Sequence, residues 1–218
     1  MDIKIKICGL RKEKEFELAS SLNLDFVGIV FYKCSPRFIP PKNLPELLNG
    51  IDKKLKIIAV VVNPSNADID KILENVTLYG IQMHGNETVE RIIDVKKRTN
   101  LSIIKAIPIN NNNDILYAKK FEDAADMLLF DSKPNKESNL PGGNAKLFDW
   151  NLLNGEKWKK PWFLSGGLDI NNINNAIKDT NAKYFDVSSG VEIKKGEKDL
   201  DLMRIFTDKI RKFENVKH

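Results

Sequence analysis

A cysteine ends an alternating run at the start of the chain, Ile3-Lys4-Ile5-Lys6-Ile7-Cys8-Gly9-Leu10. Apolar and charged residues recurring with period two read as a short β-strand with one face buried. Cys8 then lies at the strand's C-terminal mouth, where a small reactive side chain can meet a ligand. A free cysteine is more often a small buried hydrophobe, so position alone leaves both roles open. Asp131 closes a second apolar run, Met127 to Phe130. A carboxyl group at a partly desolvated mouth can hold a raised pKa and act as a general acid; a helix cap or a surface salt bridge is the alternative. A thiolate base facing a carboxylic acid across a pocket suits proton transfer on a substrate held between them.

Two glycine-containing turns, Ser165-Gly166-Gly167 and Ser188-Ser189-Gly190, follow two further apolar runs. Glycine lets backbone N–H groups approach an anion closely, and serine hydroxyls add donors, so the two turns together favour a phosphate site. Arg37, after Ser35-Pro36, carries a planar fork suited to bidentate binding of a carboxylate, although a solvated arginine is the default. His84 is the only histidine apart from His218. A lone histidine is a poor basis for a catalytic metal site, and His84 reads as shaping or hydrogen-bonding the pocket. Cys34 shares the loop of Arg37 and has no partner signature.

These groups need elements to hold them. After the opening run, strand-like segments fall at 26–31, 56–62, 78–83, 102–107, 127–130, 162–164 and 184–187. Helix-like segments follow at 12–22, around 46–48, from Ser65 as cap through 74, at 88–98, through 123, around 150–153, at 170–178 and at 200–213. Eight strands, each followed by a helix or helical turn, predict an α/β protein, a single-domain (β/α)8 (TIM) barrel spanning residues 1–218. A doubly wound open sheet is the rival, but the first strand lacks a following G-x-G-x-x-G. Barrels keep their chemistry at the C-terminal strand ends and bind phosphate with the loops after strands 7 and 8. Strands 1 and 6 lie three apart in a ring of eight, which sets Cys8 opposite Asp131. The polar stretch 132–147, with Pro141-Gly142-Gly143, reads as a functional or mobile loop.

The 218 residues are 42% hydrophobic and 30% charged, ordinary for a globular protein. No run approaches the length of a membrane span, and the N-terminus enters a strand without a signal segment. Two cysteines cannot form a disulfide framework or a zinc ribbon, and a reducing, cytoplasmic setting is expected. The net charge of +5 fits a lysine-rich surface or attraction of an anionic substrate. No arginine-rich run or interleaved basic and aromatic patch suggests nucleic acid. The expected partner is a small phosphorylated molecule, with no membrane or nucleic acid, and the chain is a monomer or a homodimer.

The motifs KICGL at 6–10, VGIVFYKCSPRFI at 27–39, VVVNPS at 61–66, IQMHGNE at 81–87, LLFDSK at 128–133, PGGNAKLFDW at 141–150, LSGGL at 164–168 and FDVSSGVE at 185–192 occur in order. In this the chain resembles the phosphoribosylanthranilate isomerases of tryptophan biosynthesis, over essentially its full length. The resemblance implies an Amadori rearrangement of N-(5-phosphoribosyl)anthranilate to 1-(2-carboxyphenylamino)-1-deoxyribulose 5-phosphate, without cofactor or metal. By position it implies Cys8 as general base, Asp131 as general acid and Arg37 facing the anthranilate carboxylate. His84, Gly166, Gly167, Ser188, Ser189 and Gly190 are expected to build the pocket and its phosphate loops. One departure stands out: the family's G-G-[ST]-G reads Gly142-Gly143-Asn144-Ala145 here. Alanine reaches positive φ at a cost of about 1 kcal/mol relative to glycine.

Other phosphosugar barrels fit less well. An indole-glycerol-phosphate synthase would want a lysine at a strand end, and a pentose-phosphate epimerase would want metal-binding histidines. A phosphate-binding protein, or a redox switch pairing Cys8 with Cys34, is the non-enzymatic alternative. The switch needs the two Cα atoms within about 7 Å.

Overall fold

Alternation at the start of the chain becomes β1 (Lys4–Cys8), and the pattern then repeats. The first half runs α1 (Glu13–Ser21), β2 (Phe26–Val30), α2 (Leu44–Leu47), β3 (Lys56–Val61), α3 (Asn66–Leu73), β4 (Gly80–Met83), α4 (Val89–Thr99). The second runs β5 (Ser102–Ile109), α5 (Asn112–Lys119), β6 (Met127–Ser132), β7 (Trp162–Leu164), α6 (Ile173–Asp179), β8 (Tyr184–Val187) and α7 (Leu200–Asn215). A 3-10 turn at Trp150–Leu153 takes the place of a helix between β6 and β7. This computed structural model describes residues 2–133, 142 and 147–215. Gly143, Asn144 and Ala145, where the loop motif departs from the family pattern, lie outside the described residues.

The eight strands form a closed parallel barrel in sequence order, with β8 hydrogen-bonded to β1. Among the boundaries that differ from the sequence reading, three bear on the site or its supports. β6 continues to Ser132, so Asp131 sits inside the ladder, in register with Pro108 of β5, rather than after the strand. α5 ends at Lys119 instead of continuing to 123. α6 begins at Ile173 rather than 170, because the Asp169 carboxylate accepts from the backbone N–H groups of Asn171 and Asn172. Such local bonds hold a backbone in a turn that would otherwise become helical. A short hairpin, β9 (Glu192–Lys194) with β10 (Glu197–Lys198), lies between β8 and α7 and was not expected.

Both faces of the strands are covered, which corrects the expectation that the charged face of the opening run meets solvent. Ile3, Ile5 and Ile7 pack outward with the apolar faces of the helices. Lys6 and Cys8 share the opposite face and point into the lumen, Lys6 with no exposure at all. The N-terminal end of the lumen is filled by Phe26, Ile58, Ile104, Ala106, Leu129 and Phe163, with Tyr79, Met127 and Tyr184 against them. Phe26 meets Tyr79 and Phe163 edge-on, with centroids 5.7 and 5.4 Å away. The Lys56 ammonium lies 5.0 and 4.7 Å from the Phe26 and Tyr79 ring centres.

Local chemistry fixes the turns above the strands. Ser65 caps α3, its hydroxyl accepting from the Asp68 N–H, as expected. Glu87 anchors the turn after β4: its carboxylate accepts from the N–H groups of Asn63 and Gly85. Lys105 of β5 donates to Glu87 at 2.7 Å and to the Gly85 carbonyl at 2.7 Å. Both side chains are almost fully buried. Removing one partner of a buried pair strands the other charge. Lys105→Met is therefore expected to destabilise the fold by about 3–5 kcal/mol. A urea titration checks this, and the double variant Lys105→Met/Glu87→Gln is expected to recover part of the loss. Equal midpoints for wild type and the single variant would show the pair to be dispensable.

Candidate active site

The C-terminal ends of the strands surround a cavity of ≈ 710 Å³, counted out to its open mouth. Cys8, Arg37, His84, Asp131, Gly166, Gly167, Ser188 and Ser189 all line it. Gly190 is not in the lining; it pairs with Asp169 at the back of the same turn. Cys8 enters from β1 and Asp131 from β6, three strands apart in the closed ring. Both are nearly buried, at 7% and 5% exposure.

Beneath the thiol lies a charge pair that the sequence reading missed. Lys6 and Asp186 are in register across β1 and β8, and Lys6 Nζ donates to Asp186 Oδ1 at 2.9 Å. Ser165 donates to the other carboxylate oxygen at 3.4 Å. Gly28 of β2, in register with Cys8, makes room for both groups. A Cβ at that glycine would lie 2.7 Å from Cys8 Sγ and 3.2 Å from Lys6 Nζ. Burial pushes the Cys8 thiol up; Lys6 pulls it back, and Lys198 and Arg37 add to that pull. Burial likewise pushes the Asp186 carboxyl up, against the pull of Lys6.

Asp131 is held by two neighbours. Its Oδ1 accepts from the Ser132 N–H at 2.7 Å, and its Oδ2 lies 3.3 Å from His84 Nε2. His84 Nδ1 lies 2.8 Å from Gln82 Nε2, so the amide donates and the imidazole proton sits on Nε2, facing the acid. His84 thus sits in contact with Asp131 on one side of the cavity. Gly142 rests on this pair: a Cβ there would lie 2.7 Å from both Asp131 Oδ2 and His84 Nε2.

Arg37 lines the cavity, but its fork is occupied. Nε and Nη2 donate to Glu192 Oε1 and Oε2 at 2.7 and 2.8 Å, a bidentate pair across the β9–β10 hairpin. Glu192 also receives the buried ammonium of Lys198 at 2.8 Å. The two cations hold the Glu192 carboxyl well below its ordinary value, from 4.5 to about 2, although burial opposes them. Lys198 donates as well to the Ser188 carbonyl, and Ser188 Oγ donates to the Cys8 carbonyl at 3.0 Å. The Ser188 hydroxyl proton is thus directed to β1 rather than to the cavity. Ser189 also lines this end of the cavity. Gly166 and Gly167, at φ of 81° and 67°, make the turn after β7 with a left-handed backbone that favours glycine.

Sequence reasoning named several of the groups that face the cavity and missed Gln82 and Asp186, which also line it, and Lys6, Glu192 and Lys198 behind them. For Lys6 the signal was present, since period two puts it on the face of Cys8. Asp186 is likewise two residues before Ser188. Glu192 and Lys198 belong to a hairpin that no local pattern announced. Cys34 is exposed and Cys8 buried, and both are free thiols.

The family model described as N-(5'phosphoribosyl)anthranilate (PRA) isomerase matches residues 5–209. An N-(5'-phosphoribosyl)anthranilate isomerase of Paracoccus denitrificans is 41% identical, covering 94% of this chain and 96% of its own. One of Paramagnetospirillum magneticum is 39% identical over the same shares. Among solved structures, phosphoribosyl anthranilate isomerase from Thermotoga maritima superposes with a TM-score of 0.85 at 29% identity, covering 96% of this chain and 98% of that one. Another phosphoribosyl anthranilate isomerase, solved with reduced 1-(o-carboxyphenylamino)-1-deoxyribulose 5-phosphate, has a TM-score of 0.79 at 28% identity, covering 94% and 97%.

The depressed Glu192 carboxyl ties stability to acid. A carboxyl lowered by folding stabilises the native state above its unfolded value near 4.5, and that contribution is lost as pH falls towards about 2. Replacing Glu192 with Gln is expected to flatten unfolding free energy against pH between these limits, as followed by urea titrations. An unchanged slope would remove Glu192 as a source of acid sensitivity.

Proposed function

The chain belongs to the N-(5'-phosphoribosyl)anthranilate isomerase family, and from that premise we propose how the barrel mouth divides the work of the reaction. The enzyme is an aldose–ketose isomerase of tryptophan biosynthesis. It converts N-(5-phosphoribosyl)anthranilate to 1-(2-carboxyphenylamino)-1-deoxyribulose 5-phosphate by acid–base catalysis. One observation carries the assignment of roles: Cys8 from β1 and Asp131 from β6, three strands apart in the ring, reach the same cavity.

In this reading Asp131 protonates the ribose ring oxygen, and the C1′–O bond breaks to give an open-chain iminium. Cys8, as thiolate, removes the proton from C2′, and the C–H electron pair moves to form an enolamine. Tautomerisation to the ketone moves the O2′ proton to C1′. One proton has then left Asp131 and one has reached Cys8, so a transfer between them resets the enzyme. Every step is a proton transfer or a rearrangement of bonds within the substrate. His84, hydrogen-bonded to Asp131, keeps the acid aimed at the ring oxygen.

The substrate's two anionic ends match the two ends of the cavity. The glycine turns after β7 and β8 take the phosphate through their N–H groups. At the other side Val30, Tyr32 and Val60 offer an apolar wall beside Cys8 for the anthranilate ring. Arg37 then meets the carboxylate with Nη1, the nitrogen that Glu192 does not engage. A base that works as a free thiol suits a reducing, cytoplasmic setting. Among the described residues no helix is long and apolar enough to cross a membrane.

Loss of phosphoribosylanthranilate fluorescence tests the roles directly. Cys8→Ser and Asp131→Asn are each expected to lower kcat by about a hundredfold or more with the circular dichroism unchanged. A near-wild-type rate in either variant removes that residue from its role.

A further inference from the structure

Lys6 takes no part in the proton transfers above, yet its ammonium is fully buried in the lumen. Burying an ion pair costs desolvation that its own attraction often fails to recover, and a hydrophobe of similar volume would serve packing as well or better. Packing therefore does not account for a lysine here; what it faces does. Nζ is tethered at 2.9 Å by Asp186, its in-register neighbour. Its other face is turned to the notch over Gly28, where Cys8 Sγ and Lys6 Nζ both lie within 3.2 Å of one point. The ammonium is close enough there for its charge to act on the thiol.

We propose that Lys6 is a positioning residue for the isomerisation, its ammonium the counter-cation of the Cys8 thiolate and Asp186 the tether that aims it. The proposal rests on the reading of Cys8 as the base. The other charged groups around the thiol are few. On its own strand there is Lys6; from β8 there is Asp186. From β10 comes Lys198, and from the loop after β2 comes Arg37, the charges of both being shared with Glu192 of β9. Val30 of β2, Val60 of β3 and Tyr32 supply the remaining, mostly apolar contacts. His84 and Asp131 face the thiol from across the cavity. Of these, Lys6 exerts the strongest pull against the effect of burial on the thiol, and Asp186 pushes the other way. The two residues therefore predict shifts of opposite sign.

The test reads the thiol itself. In a Cys34→Ala background, which removes the exposed cysteine, the rate of alkylation of Cys8 by iodoacetamide is followed against pH. Lys6→Met is expected to raise the midpoint by about one unit or more. It should also lower kcat at neutral pH by about tenfold or more, with KM unchanged. Asp186→Asn keeps the carboxylate's shape and a hydrogen bond to Lys6, so it folds even where Lys6→Met fails to. It is expected to lower the midpoint. An unmoved midpoint in Asp186→Asn, or a shift in the same direction as a folded Lys6→Met, overturns the proposal. Activity of Cys8→Ser separates the two layers: a fully active variant removes Cys8 as base, while the alkylation midpoints still report on Lys6.

Discussion

Hydrogen bonding of β8 back to β1 is the constraint on which the rest of the molecule depends. Without it the sheet would present two open edges, and the chemistry-bearing residues would lie along a line instead of around a ring. With it, register does the positioning. Lys6 falls beside Asp186 and Ile7 beside Val187, which puts Ser188 within reach of the Cys8 carbonyl. Two ends of the sequence thus meet at one point, and the thiol gains its neighbours from residues some 180 positions away.

Three buried carboxylates share the handling of buried cations, each with a different consequence. Glu87 and Lys105 lie outside the lumen and hold the turn that bears His84. Asp186 and Lys6 lie inside it, under the thiol. Glu192 binds two cations at once, Arg37 and Lys198, and so joins the loop after β2 to the hairpin after β8. Buried charges are poor sources of net stability, because desolvation offsets much of their attraction. Their value lies in geometry: each pair fixes a loop or a side chain that apolar packing could not orient.

Much of this was legible from local pattern. The period of the strands, the glycine turns and the polar residues at strand ends were enough to foresee the barrel and several of the residues facing its cavity. Boundaries were less legible where side chains compete with the backbone, as Asp169 does ahead of α6. Lys6 was misread for a different reason. Alternation gives two faces, and a charged face is ordinarily the wet one; only closure of the ring makes the inner face dry. Arg37 was read as a fork for a ligand's carboxylate; in the structure the fork holds Glu192, 155 residues away. Such a partner emerges only from tertiary structure. The hairpin of β9 and β10 is short and exposed along much of its length, so it left no hydrophobic signature.

The aromatic floor of the lumen has a consequence for traffic. Phe26, Tyr79, Phe163 and Tyr184 interlock across the N-terminal end, and Lys56 stands over two of their rings. Phe26 and Phe163 are almost fully buried there, so among the described residues the cavity opens at the C-terminal strand ends. Substrate, product and any exchangeable hydrogen must use the same opening. In the proposed reaction, a hydrogen lifted from C2′ onto Cys8 would lie under the departing product, shielded from bulk water until that opening is clear. The packed floor thereby makes the top a turnstile, and under the proposed reaction the isotopic memory of the thiol would be set by how long the product stands in it.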